Sequence, residues 1–140
     1  MTAAVFLLDT NIFSEATKLQ PNPQVLEKLK QNRSEIATAS VVLHELLFGC
    51  YRLPRSKRRQ KLEDYAMTSV SRTLQIFSYD DSAAKCHAAE RSRLATIGRT
   101  PPYIDGQIAA IAIINNLTLV TRNESDYQDF QRLKIENWFR

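Results

Sequence analysis

At 140 residues the chain is long enough to bury one sizeable core, and 44% apolar with 24% charged residues is the composition of an ordinary globular domain. Three glycines and five prolines exclude a flexible linker or low-complexity tract, and no apolar run approaches the roughly 20 residues a membrane span needs. The net charge of +4 favours an anionic partner, although so mild a surplus also occurs in proteins that bind nothing anionic.

From its start the chain alternates short apolar runs with amphipathic stretches. Val5-Phe6-Leu7-Leu8 ends abruptly in Asp9-Thr10-Asn11, so it reads as a buried strand that delivers Asp9 at its carboxyl tip. Ile12 to Thr17 makes a short helix and Pro21-Asn22-Pro23 a break. Val25, Leu26 and Leu29 then form an apolar stripe on a helix from Pro23 to Lys30, with proline at its first position. A second strand, Glu35 to Ala39, leads to Ser40 as the N-cap of a helix running to about Tyr51, closed by Leu53-Pro54. Ser56 to Val70 is expected to be one long polar helix, followed by a strand at Leu74 to Phe77. Asp80 or Asp81 caps a helix that reaches Ile97, with Gly98 placed to end it. Pro101-Pro102 start another helix, which stops near Asn115 or Asn116. Leu117 to Val120 is a strand, Glu124 to Phe130 a short helix, and Leu133 to Ile135 an edge strand. Strands separated by helices, without tight hairpins, imply a single α/β domain over residues 1–140. Its mainly parallel central sheet would have four to five strands flanked by helices on both faces. Cys50 and Cys86, with no CxxC spacing and no signal-peptide pattern ahead of them, are expected to be free thiols in a reducing cytosol.

In such a sheet ligands bind beyond the carboxyl ends of the strands, so the acids the fold can bring there matter most. Asp9 has that address directly. Glu45 has Val41 and Val42 one turn before it and Phe48 one turn after, which places it on the apolar stripe of its helix. Asp105 has Ile108, Ala109 and Ala112 at i+3, i+4 and i+7, the packed face of its helix. Asp126 follows the Leu117 to Val120 strand by way of Thr121-Arg122-Asn123 and shares the strand-end position with Asp9. An ionised carboxylate removed from water without a partner costs several kcal/mol, and no lysine or arginine sits beside Glu45 or Asp105 in sequence. Each also has an ordinary structural reading. Asp9 can cap the helix at Ile12, and Glu45 can meet an arginine from elsewhere. Asp105 sits where the helix dipole favours any acid, and Asp126 stands three residues after Asn123, a capping-box spacing. The four together form a constellation that capping alone does not predict, and a joint metal site accounts for it.

Carboxylates without cysteine or histidine suit a hard cation, Mg²⁺ or Mn²⁺, which can activate water against a phosphodiester and stabilise the departing oxygen. Competing motifs fail at named positions. His44-Glu45-Leu46-Leu47-Phe48 begins like HExxH but carries Phe48 where the second zinc histidine belongs. His44 and His87 as the acid and base of a metal-independent ribonuclease is a weaker reading of two isolated histidines. Neither GxxxxGK[ST] nor GxGxxG occurs, and Asp9-Thr10-Asn11 lacks the second aspartate of a phosphotransferase loop. Arg52, Arg55, Lys57, Arg58, Arg59 and Lys61 crowd six cations into ten residues, where they either track a phosphate backbone or form a solvated helix start. Arg91, Arg93 and Arg99 make a second, looser group, and Arg122 is the cation nearest in sequence to a candidate ligand.

These residues carry a resemblance. Leu7-Leu8-Asp9-Thr10-Asn11, then Ser40-Val41-Val42-Leu43-His44-Glu45-Leu46-Leu47-Phe48-Gly49, then Pro102-Tyr103-Ile104-Asp105-Gly106-Gln107-Ile108-Ala109-Ala110, then Leu119-Val120-Thr121-Arg122-Asn123 with Asp126, in this order, resemble PIN-domain proteins. More narrowly they resemble the VapC toxins of type II toxin-antitoxin systems and their FitB-like relatives. The resemblance implies a PIN fold and a cytoplasmic Mg²⁺- or Mn²⁺-dependent endoribonuclease that cuts structured RNA, such as tRNA or rRNA, and arrests translation. Carried over by motif, Asp9, Glu45, Asp105 and Asp126 are the catalytic, metal-binding acids, with Thr10, Asn11, Thr121 and Asn123 supporting them. Arg52, Arg55, Lys57, Arg58, Arg59 and Arg122 are then candidates for the RNA backbone. The resemblance also implies a homodimer and a small VapB-like antitoxin that blocks the site with a peptide, often through an arginine, while its other half binds operator DNA. A non-catalytic PIN-like module that binds nucleic acid or protein is the alternative. A DNA nuclease with the same metal chemistry also stays open, because the acids meet phosphate and not sugar.

Overall fold

The computed structural model describes residues 3–140. Phe6–Leu8 (β1) runs into a helix at Thr10–Ala16 (α1), followed by Pro23–Gln31 (α2) and Ile36–Ala39 (β2). Next come Ser40–Tyr51 (α3), Lys57–Asp64 (α4), a π-helical segment at Tyr65–Arg72 and Gln75–Phe77 (β3). Asp81–Thr96 (α5), Tyr103–Ile114 (α6), Thr118–Val120 (β4), Glu124–Tyr127 (α7) and Lys134–Glu136 (β5) complete the chain.

The five strands form one parallel sheet in the order β3-β2-β1-β4-β5, with Leu7 opposite both Ala37 and Leu119. The central strands are buried on both sides: Leu7, Leu8, Ala37, Thr38, Ala39, Leu119 and Val120 are all fully enclosed. A parallel sheet without an exposed face requires helices on each, as the alternating sequence predicts. The strand order reverses at β1, whose neighbours β2 and β4 continue in opposite directions. That reversal opens a crevice at the carboxyl ends of β1 and β4, where the chain delivers Asp9 and Thr121. The ladder holds both loops in place, with Asp9 N donating to Val120 O and Thr121 N to Glu136 O, each at 3.0 Å. The buried Thr38 hydroxyl donates to Leu8 O at 2.8 Å.

Several expected boundaries move, each for a local reason. The first helix starts at Thr10, because Asp9 accepts from Thr10 N at 2.8 Å and serves as its cap. Ser40 is not an N-cap. β2 passes directly into α3, Ala39 occupies the cap position in an extended conformation, and no side chain caps the helix. Ser56 does cap α4, but the expected long helix divides at Tyr65, where the register widens so that Ala66 and Val70 both turn inward. The Thr73 hydroxyl ends that segment by donating five residues back to Thr68 O at 2.9 Å. Asp80 is the cap of α5, and Gly98 at φ 72° takes the left-handed turn after it. Pro101 and Pro102 precede α6 and are not part of it, and α7 stops at Tyr127 rather than Phe130. Cys50 and Cys86 are free thiols, and no helix among the described residues is long and apolar enough to cross a membrane.

Candidate active site

Asp9 is 5% exposed and is held by four donors of the protein. Its Oδ1 accepts from Thr10 N, and its Oδ2 accepts from the Thr121 hydroxyl at 2.8 Å, Asn11 Nδ2 at 3.3 Å and the Tyr127 hydroxyl at 3.3 Å. The capping role and the strand-end role therefore belong to the same carboxylate. Burial still dominates, and its pKa lies above the ordinary aspartate value despite the four hydrogen bonds.

Asn11 and Thr121 knit the two strand-end loops together. Asn11 Nδ2 donates to Thr121 Oγ1 at 3.2 Å, and its Oδ1 accepts from Arg122 N at 3.1 Å. Asn123 N donates to Thr121 Oγ1 at 3.1 Å. Thr10 turns the other way and donates its hydroxyl to Glu45 Oε1 at 2.7 Å. Asn123 makes no side-chain cap for α7, so the capping-box reading of Asp126 does not hold.

Asp9, Glu45 and Asp105 line one cleft of about 340 Å³, together with Thr10, Asn11 and Asn123. Asp126 is exposed and does not line it, yet its charge reaches Asp105. The inward placement drawn from apolar spacing is only partly right: Phe48, a marker of the Glu45 stripe, is 55% exposed, and Glu45 and Asp105 are half-buried. Asp105 Oδ1 accepts from the Tyr127 hydroxyl at 3.4 Å. Its pKa is pushed up to about 6, first by burial and then by the charges of Asp9, Asp126 and Glu45. Among the described residues none of the four acids is paired with a lysine or arginine; the acids that are paired are Glu15, Glu90, Asp129 and Glu124. Oxygen donors with unneutralised, mutually repelling charge fit a hard divalent cation. As the side chains stand, no three acids among the described residues close on a common point, and the Tyr127 hydroxyl lies between two of them.

The basic residues sort by direction. Arg52 stacks over Phe48 at 5.5 Å and Arg59 over Tyr51 at 5.4 Å, while Arg55 and Arg59 share a separate hollow with Glu63. Lys57, Arg58 and Lys61 line a groove of about 840 Å³ that shares Ser14 and Lys18 with the acidic cleft. Arg122 stands on the cleft wall with its guanidinium over Phe139 at 4.8 Å. Of the looser group, Arg93 pairs with Glu90, Arg99 with Asp129, and Arg91 lies over Tyr103. His87 is buried against Tyr79, and neither histidine lines the cleft.

Three residues of the site escape a reading of the sequence. Tyr127 is legible there only as half of a Tyr127/Phe130 pair at i, i+3 on a short helix. Glu15 and Lys18 lie on the cleft wall as an ion pair at 2.9 Å, and Glu15 also accepts from Asn22 N at 2.8 Å. Their i, i+3 spacing is the signal that could have found them.

Comparison with known proteins agrees with this architecture. The PIN domain family matches residues 6–134. Ribonuclease VapC2 of Rickettsia felis is 32% identical over 136 residues, spanning 96% of this chain and 98% of that protein. The tRNA(fMet)-specific endonuclease VapC of Shigella flexneri is 31% identical over 133 residues, spanning 95% and 97%. Among solved structures, FitAB bound to a DNA fragment matches with a TM-score of 0.89 at 26% identity, covering 97% of this chain and 96% of that one. On the strand order, the site at the carboxyl ends of β1 and β4 and these matches, the chain belongs to the PIN-domain family, in its VapC- and FitB-like branch.

Proposed function

We propose that this PIN domain is a Mg²⁺- or Mn²⁺-dependent endoribonuclease, the toxin of a VapBC-type pair, which cuts structured RNA such as tRNA or rRNA in the cytoplasm and inhibits translation. The observation that carries the reading is the gathering of Asp9, Glu45 and Asp105 in one cleft where, among the described residues, none of the three is paired with a lysine or arginine. The relatives named as ribonuclease and endonuclease support the reaction class. The FitAB complex bound to a DNA fragment supports a partner protein and DNA binding by the pair, which we read as operator DNA held by the antitoxin.

Asp9, Glu45 and Asp105, with Asp126 at the edge, would hold the ion, which supplies a polarised water and a counter-charge for the departing oxygen of the phosphodiester. Thr121 and Asn11 fix the orientation of Asp9, and the Thr10 hydroxyl fixes that of Glu45. Arg122 stands where a phosphate entering the cleft meets a cation, and the Lys57, Arg58 and Lys61 groove receives the flanking backbone. The active species is a homodimer, and a VapB-like antitoxin peptide silences it by bringing an arginine to the same carboxylates.

The test uses the purified protein and a tRNA pool. Cleavage should require Mg²⁺ or Mn²⁺, stop in EDTA, disappear in Asp9→Asn and be suppressed by the cognate antitoxin. Cleavage that persists in EDTA overturns the reading. The alternative, a PIN module that binds RNA or protein without cutting, is favoured by the absence of three acids closed on one point among the described residues. It predicts RNA retention with no metal-stimulated turnover.

A further inference from the structure

We infer that the Tyr127 hydroxyl is a positioning group of the acidic cleft. Its single proton is shared between Asp9 Oδ2 and Asp105 Oδ1, holds the two carboxylates in register in the metal-free protein, and competes with a divalent cation for their lone pairs. The inference rests on the metal reading above.

Tyr127 is 2% exposed and is the buried residue of α7, packed against Phe130 with ring centroids 6.3 Å apart. Its hydroxyl oxygen is 3.3 Å from Asp9 Oδ2 and 3.4 Å from Asp105 Oδ1. A phenol has one proton to give, and a hydroxyl committed to one carboxylate sits at roughly 2.5–2.7 Å. Two longer contacts of nearly equal length are what a donor divided between two acceptors produces. The two acids depend on it unequally. Asp9 keeps Thr10 N, Asn11 and Thr121 if the hydroxyl leaves, whereas Asp105 has no other hydrogen-bond partner among the described residues. With neither acid paired to a lysine or arginine, the hydroxyl dipole is the positive end that lies between them. A doubly charged ion answers the same repulsion far more strongly, but it must take up oxygens the hydroxyl already engages. The ring supplies the packing and the hydroxyl the tether, so Tyr127→Phe separates the two.

The experiment is calorimetric titration of Mn²⁺ into the parent protein and Tyr127→Phe, with thermal unfolding of both in EDTA and in saturating Mn²⁺. Tyr127→Phe is expected to bind Mn²⁺ about three- to tenfold more tightly. It is also expected to unfold at a lower temperature in EDTA, with the gap narrowing once Mn²⁺ is added. A tyrosine that only fills the core would lower both unfolding temperatures alike and leave the affinity unchanged. Equal or weaker Mn²⁺ binding by Tyr127→Phe therefore overturns the inference while leaving the nuclease reading intact. Failure of the parent protein to bind Mn²⁺ overturns the metal reading and this inference with it.

Discussion

Replacing Asp105 by asparagine should stabilise the metal-free protein while removing its activity. In the folded chain the Asp105 carboxyl is pushed from 3.8 up to about 6 by burial and by three neighbouring acids. Taken in full, that rise corresponds to about 3 kcal/mol. The side chain is half-exposed, and screening by solvent reduces the figure to about 1 kcal/mol. The sign follows from linkage. The folded state holds the proton more tightly than the unfolded state, so its stabilising effect is full below the unfolded value of 3.8 and is lost as pH rises through about 6. At neutral pH the parent protein thus carries an ionised Asp105 that disfavours the fold. Asparagine removes that charge and keeps an acceptor for the Tyr127 hydroxyl. In EDTA at about pH 7.5, Asp105→Asn should unfold roughly 3 °C above the parent protein. The gain should shrink toward zero as pH falls to about 4. Mg²⁺ should raise the parent's unfolding temperature and leave that of the variant nearly unchanged. A variant less stable than the parent at neutral pH in EDTA, or a difference that ignores pH, would refute the claim that unneutralised charge strains this cleft.

Two further outcomes follow from the packing and from the basic groove. Gly106 lies against His87: an added Cβ would press on Nε2 well inside van der Waals contact and meet Cδ2 at 2.7 Å, and His87 is buried with Tyr79 and Tyr103 around it. Gly106→Ala should cost about 1–3 kcal/mol in urea unfolding, part of which His87→Ala in the same chain restores. Because Asp105 precedes Gly106, cleavage should fall in parallel, and an undiminished stability would show that the ring yields freely. Replacing Lys57, Arg58 and Lys61 by alanine should weaken RNA binding and lower its salt slope by about 1 for each phosphate no longer neutralised, with turnover at saturating RNA unchanged. Arg52→Ala and Arg55→Ala, which face elsewhere, should leave the slope as it was.

Fold class, a mainly parallel sheet of four to five strands and the three acids that line the cleft are readable from the chain, because apolar runs and helical spacing are local signals carried by neighbouring residues. Asp126 is readable as an acid near the sheet edge but stands outside the cleft. Leu7 and Leu8 ending in Asp9, or Asp105 three and four residues before Ile108 and Ala109, need no partner to be recognised. Local pattern misleads where burial depends on what packs opposite: Phe48 has an apolar residue's spacing and stands exposed, and one apparent helix from Ser56 changes register at Tyr65. The direction of each member of the basic run is likewise invisible, since six cations in ten residues share one composition, yet five divide between two hollows and Arg52 lies over Phe48. The hydrogen bond from Thr121 to Asp9 spans 112 positions, and that from Tyr127 to Asp9 spans 118. No period in the chain encodes such contacts. They exist because β4 lies beside β1 in the sheet, an order set by which faces bury each other and not by any residue's own preference.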